Sequence, residues 1–251
     1  MPALPGAFLT IPLAHRGLHG PGVPENSLAA ARAAIAAGYG IELDIQPDAA
    51  GRPLVFHDYD LMRLTGQPGF ISHRTPEAVA RLRLLGTDQQ VPTLPEFLDL
   101  VAGRVPLLIE IKDPDTRLGD RIGGLHLRVA GALAGYGGPV AVMSFNPHVV
   151  AAFHRAAPGI PAGLTTCAFA PEDWAGVPPE RREYLAGIPD FDRAGACFIS
   201  HDRADLGNRR VDALKARGVP VLCWTVKSPA EEAEARRVAD NITFEGYPAP
   251  L

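Results

Sequence analysis

Six side chains in the 251-residue sequence stand where they could act on a phosphate: His15 and Arg16, Glu42 and Asp44, Glu110 and Lys112. His15-Arg16 ends a short apolar segment. Glu42-Leu43-Asp44 and Glu110-Ile111-Lys112 repeat one pattern, two charged residues with an aliphatic residue between them. Residues two apart in a strand share a face. Each charged pair therefore points one way, while Ile41, Leu43, Ile45, Ile109 and Ile111 point the other. Three carboxylates aimed into one interior repel and are costly to desolvate. An all-oxygen set of this kind suits a hard divalent cation, Mg²⁺ or Ca²⁺. A salt-bridge network with Arg16 and Lys112 is the alternative. His57 is the seventh candidate. Two imidazoles beside such a cluster suit acid–base work, one taking a proton and the other giving one to a leaving alkoxide. Arg16 offers a fork to phosphate oxygens and Lys112 a point charge.

The elements that must position these groups are short apolar segments alternating with Ala-rich helical stretches. Strands are predicted over 11–15, 39–46, 53–57, 106–112, 139–145, 162–168, 196–200, 219–226 and 241–245. Helices are predicted over 26–37, 93–102, 120–135, 148–157, 207–217 and 228–239. Alternation of this kind predicts a parallel sheet. Only six residues, PDAAGR, join 39–46 to 53–57. A parallel crossover needs roughly a dozen or more, so these two strands form a hairpin, and the second returns His57 toward Asp44. Eight strand–helix units remain, the count of a (β/α)₈ TIM barrel. The doubly wound alternative normally carries GxGxxG after its first strand, and the sequence has none. One domain over 1–251 is expected, with 58–92 as a small cap insertion near the mouth.

Chemistry in such a barrel sits at the C-terminal strand ends. The later ends carry Ser144, Thr165, His201, Trp224 and Glu245. Of these, Trp224, Ser144 and His201 are taken as substrate-pocket candidates, although Trp224 could be core and Ser144 could simply close the turn before Pro147. Glu25 is expected to orient Arg16, and Asn26 or Ser27 to cap the following helix. Asp58 and Asp60 are expected to order the loop after His57. Cys167, Cys197 and Cys223 read as small core residues within strands.

Lys plus Arg is 24 against 28 Asp plus Glu, a net charge of −4. This lacks the basic excess of a nucleic-acid binder. Three widely spaced cysteines without a CxxC pair predict a reducing compartment. The N-terminus makes a poor signal peptide, and no apolar run reaches about 18 residues. The expectation is a soluble cytoplasmic protein without a membrane span. Oligomeric state is not legible.

Taken together, His15-Arg16-Gly17, Pro24-Glu25-Asn26-Ser27, Glu42-Leu43-Asp44, His57-Asp58, Leu61 to Gly66 and Glu110-Ile111-Lys112 resemble the glycerophosphodiester phosphodiesterases in order and spacing. The likeness runs on through Trp224-Thr225-Val226. It implies a TIM barrel with a divalent cation that hydrolyses small glycerophosphodiesters to glycerol 3-phosphate and an alcohol. It implies further that His15 and His57 are the acid–base pair, that Glu42, Asp44 and Glu110 hold the metal, and that Arg16 and Lys112 contact phosphate. It also implies attack by the glycerol hydroxyl, through a cyclic phosphate that water opens. Departures from the pattern are Leu18-His19 after HRG, Lys227 after Trp-Thr-Val, and Thr243-Phe244-Glu245 in the last strand. His19 and Lys227 would add positive charge at the mouth and favour an anionic head group. The competing functions are a phospholipase-D-like or cyclising phosphodiesterase on lysophospholipids, a non-catalytic binding barrel, and a sugar-isomerase-type metal barrel.

Overall fold

Nine strands form one sheet, and eight of them close into a ring, in the computed structural model, which describes residues 2–251. The strands are β1 (Leu13–Ala14), β2 (Gly40–Pro47), β3 (Pro53–Val55), β4 (Leu107–Ile111), β5 (Val140–Ser144), β6 (Ala162–Thr166), β7 (Phe198–Asp202), β8 (Val221–Val226) and β9 (Asn241–Phe244). All neighbours in the ring are parallel, and β1 closes it by pairing with both β2 and β9. β3 lies outside the ring, antiparallel to β2, with Ile45 opposite Val55. The hairpin inferred from the six-residue connection is therefore present, and the ring is a TIM barrel.

The helices are α1 (Ala7–Thr10), α2 (Leu28–Ala37), α3 (Met62–Thr65), α4 (Pro76–Val79), α5 (Leu94–Val101), α6 (Leu125–Leu133), α7 (Pro147–Ala156), α8 (Pro179–Ala186), α9 (Arg209–Ala216) and α10 (Pro229–Ala235). Local chemistry sets several starts. The Ser27 hydroxyl accepts from Ala30 N at 3.1 Å at the start of α2, and Thr93 and Glu96 close a reciprocal capping box on α5. No helix among the described residues is long and apolar enough to cross a membrane.

Strand alternation divides the core. Ile41, Leu43, Ile45, Leu107, Ile109 and Ile111 face the helices. The inward residues change character along each strand. Leu13, Leu108, Ala141, Met143, Phe198 and Leu222 fill the lower interior, with Phe8 of α1 packed against them. Above them on β2 and β4 stand Glu42, Asp44 and Glu110. Gly163 gives Phe198 its place in that lower layer, since a Cβ there would lie 2.5 Å from the buried ring.

Two satellite clusters flank the mouth. Residues 58–92 carry α3 and α4 and pack Leu61, Leu64, Ile71, Val79, Leu82 and Leu84 against Leu54 and Phe56. After β6, Cys167, Phe169 and Val177 pack with Leu118 and Leu185, backed by Phe145, Trp174 and Trp224. Of the three cysteines, all free, only Cys223 lies inside a strand; Cys167 follows β6 and Cys197 precedes β7.

Candidate active site

The C-terminal ends of the strands open into a cavity of about 700 Å³ lined by His15, Arg16, Glu42, Asp44, His57, Glu110 and Lys112. The seven sequence-derived candidates thus share one wall. Glu42, Asp44 and Glu110 are 3%, 2% and 5% exposed, and donor atoms of all three lie within 4.8 Å of one another. The cations beside them are placed by the backbone. Arg16 has φ of 55° and Asn26 of 53°, a left-handed conformation that costs a non-glycine residue energy and clusters at functional sites. The turn aims the Arg16 backbone N–H at Glu42 Oε2, 3.1 Å away, and brings the guanidinium Nε within 3.4 Å of Asp44. Ser27 supplies the helix cap. Asn26 instead donates from Nδ2 to Asp44 Oδ2 at 2.9 Å, and its Oδ1 accepts from Asp44 N. Lys112 Nζ lies 2.7 Å from Asp44 Oδ1 and 2.5 Å from Glu110 Oε1.

The three carboxyls differ in character. Burial would raise Asp44, but Lys112, His57 and Arg16 outweigh it and hold the group well below the usual carboxylate range. Burial pushes Glu42 well above that range, with Asp44 and Glu110 adding repulsion. Burial also raises Glu110, despite Lys112. Negative charge in the cluster therefore exceeds what Arg16 and Lys112 neutralise. An oxygen-only donor set with surplus negative charge fits a hard divalent cation. Glu42, Asp44 and Glu110 are the residues that would hold it.

Both histidines are held by carboxylates. A carboxylate only accepts, so each Nδ1 carries the proton. His15 Nδ1–H donates to Glu245 Oε2 at 2.6 Å, and its Nε2 lies 4.0 Å from Glu42 Oε2. His57 Nδ1–H donates to Asp58 Oδ1 at 2.7 Å. Gln46, on the inward face of β2, donates to the His57 carbonyl at 3.2 Å. Arg63 joins the two halves of the mouth, since its fork donates to both oxygens of Glu25 and to both oxygens of Asp58 at 2.7–2.8 Å. Glu25 in turn accepts from Arg16 Nη1 at 2.7 Å. Glu25 orients Arg16, as the sequence predicts; the bridging role of Arg63 was not foreseen. Its only sequence signal is its place in the Leu61–Gly66 motif. The role of Glu245 was also missed, although the inward parity Asn241, Thr243, Glu245 marks it.

Other expectations are corrected. His201 does not line the cavity. Phe198, Ser200 and Asp202 are the inward residues of β7, and His201 lies fully buried behind the barrel wall, Nδ1 2.7 Å from Thr166 Oγ1 and Nε2 3.1 Å from the Asp205 carbonyl. Ser144 borders the cavity, but its hydroxyl donates to Ile111 O at 2.7 Å and accepts from Asn146 N, so it closes the turn. Trp224 does line the cavity. Lys227 and His19 both face Glu245, at 2.8 and 3.5 Å, so its carboxylate offsets the charge expected of them at the mouth.

Comparison with known proteins places this arrangement. A profile of the glycerophosphoryl diester phosphodiesterase family matches residues 15–241. A glycerophosphodiester phosphodiesterase of Caldanaerobacter subterraneus is 36% identical over 113 residues, covering 41% of this chain and 45% of that one. One from Bacillus subtilis is 29% identical and covers 97% of this chain and 85% of its own. A phosphodiesterase of Oleispira antarctica, solved in complex with its product sn-glycerol-3-phosphate, superposes with a TM-score of 0.77 at 22% identity over 96% of each chain. The TIM barrel with its hairpin strand, and the match over nearly its whole length, mean that the chain belongs to the glycerophosphoryl diester phosphodiesterase family.

Proposed function

We propose that this protein is a divalent-cation-dependent phosphodiesterase that hydrolyses glycerophosphodiesters to glycerol 3-phosphate and an alcohol. The observation that carries the reading is the pairing of two imidazoles, each with Nδ1 held by a carboxylate, in the cavity that holds the buried Glu42–Asp44–Glu110 cluster. Such holding leaves each Nε2 free for proton transfer. His15, the deeper of the two, takes the proton of the glycerol hydroxyl that attacks phosphorus. His57, whose side chain is 31% exposed, gives a proton to the departing alkoxide on the open side. The cyclic phosphate is then opened by water with the roles reversed. Arg16 and Lys112 hold the phosphoryl oxygens. A divalent cation at the three carboxylates supplies Lewis-acid polarisation of the phosphoryl oxygens and lowers the pKa of the attacking hydroxyl. The acyl-chain reading has less support, because the apolar wall of the cavity also carries Asp173 and Asp202.

The test is release of glycerol 3-phosphate from a panel of glycerophosphodiesters with Mg²⁺, with Ca²⁺ and with chelator. Release that requires a metal and falls about 10²- to 10⁴-fold in His15→Ala and His57→Ala is the expected result. Release unaffected by chelator and by both substitutions would overturn the mechanism.

A further inference from the structure

The cavity is chemically two-sided. All four of its basic or imidazole side chains, His15, Arg16, His57 and Lys112, lie on the wall that carries the acidic cluster. The opposite wall is aromatic. Phe145 packs edge-on against Trp224, centroids 5.5 Å apart, and at a tilt against Trp174 at 4.7 Å, while Phe169 lies 5.0 Å from Trp174. Two carboxylates accompany these rings. Asp202 is in register with Trp224 on the adjoining strand, both facing the cavity, and Asp173 precedes Trp174. The neighbouring basic side chains are engaged by other partners: Arg182 donates to the backbone carbonyls of Trp174 and Val177, and Arg181 to that of Leu118. Arg203 pairs with Glu231 at 2.9 Å and donates to Thr225 O. Lys227 pairs with Glu245 at 2.8 Å. Trp224 is held by its Nε1–H, which donates to Ser200 O at 3.0 Å.

Aromatic faces and carboxylates without a competing cation attract a positively charged, partly apolar group. We propose that this wall is the subsite for the leaving alcohol and that it selects a cationic amino alcohol, of the choline or ethanolamine type, over neutral polyols. This deepens the hydrolase reading above and rests on it. The phosphate is gripped on one side of the cavity, and the ammonium group lies against Trp174, Trp224, Asp173 and Asp202 on the other. The expectation of an anionic head group, drawn from Lys227 and His19, is thereby reversed.

Two measurements test it. The first compares kcat/KM for glycerophosphocholine, glycerophosphoethanolamine, glycerophosphoglycerol and glycerophosphoinositol. The expected preference for the two cationic esters is about fivefold or more, expressed in KM. In the double variant Asp173→Asn, Asp202→Asn that ratio falls toward one; Asn keeps the acceptor that Asp202 offers to Ala204 N. The second needs no turnover. Trp174 and Trp224 are the only tryptophans in the sequence, so choline itself, titrated on the order of millimolar, is expected to change the fluorescence saturably, glycerol not, and the double variant not. Equal kcat/KM across the four esters, a ratio unmoved in the double variant, or no saturable response to choline overturns the subsite. Absence of glycerol 3-phosphate from every ester, with a saturable choline response, overturns the hydrolase reading instead.

Discussion

Glu245 Oε2 lies 2.6 Å from the Nδ1 of His15, 230 residues earlier in the chain, where β9 closes the barrel against β1. The hydrogen bond fixes both the tautomer and the ring plane of the deeper imidazole. The hydrogen bond from His15, with His19 at 3.5 Å and Lys227 at 2.8 Å beside it, holds the Glu245 carboxyl far below the usual range. It is therefore ionised at every working pH and cannot itself serve as the acid. Its work is to keep Nε2 of His15 turned toward the carboxylate cluster.

Glu245→Gln tests that role, because the amide can rotate to offer His15 either a donor or an acceptor. Holding partners of this kind contribute about tenfold to a hundredfold. The expected result is a fall of that size in kcat with KM within about twofold, and partial recovery in Glu245→Asp. Steady-state kinetics on a glycerophosphodiester would settle it; an unchanged kcat removes Glu245 from the machinery.

Arg63 makes a different prediction, about acid stability. Burial works against the Glu25 carboxyl, but hydrogen bonds and charge from Arg63 and Arg16 depress it. Asp58 is depressed in the same way by His57 and Arg63. A group whose folded pKa is depressed adds stability that is complete above its unfolded value, about 4 for a carboxyl, and is lost as pH falls toward the folded value. In Arg63→Met both carboxyls rise toward their unfolded values. Denaturant titrations at a series of pH values would show the variant less stable at neutrality, by about 1 kcal/mol or less for a half-exposed pair. Its stability would then fall less steeply than wild type below about pH 4. Parallel curves would contradict the account.

Much of this site is legible in the sequence because strands alternate. Glu42-Leu43-Asp44 and Glu110-Ile111-Lys112 declare their faces by spacing alone, and the six-residue link to Pro53 forces the hairpin that returns His57. His201 shows where that reading stops. A strand end can be found from composition, but not whether the last or the penultimate residue faces inward, and on β7 the inward one is Asp202. Arg63 was opaque for another reason. Its partner Glu25 is 38 residues away, and such a pairing is tertiary. The helix Pro179–Ala186 was also missed, since it buries only Leu185 and so shows no apolar period.

The lower barrel layer makes a packing prediction. An added Cβ at Gly163 would meet the Phe198 ring at 2.5 Å, and that ring is fully buried within the lower interior cluster. Gly163→Ala is expected to destabilise by about 1–3 kcal/mol. A shift in the midpoint of urea unfolding without a change in slope would register it.

The carboxylate cluster sets stability against function. Without a cation, Glu42, Asp44 and Glu110 face one another in a buried site, and burial and mutual repulsion push Glu42 up. Glu42→Gln removes the ionisable group, and the repulsion that its ionisation would bring, at almost constant shape. The metal-free variant is therefore expected to melt higher than metal-free wild type, as when a strained functional site is relieved. Its Tm should then respond little to cation. Wild type should gain stability with ligand as RT ln(1 + [L]/Kd), about 2.7 kcal/mol at a hundredfold excess over Kd. Melting curves of both proteins with chelator, Mg²⁺ and Ca²⁺ would decide it. A variant that melts lower than wild type without metal, with neither protein responding to cation, would mean that the cluster is a structural salt-bridge network, with Lys112 and Arg16 as its sole cations.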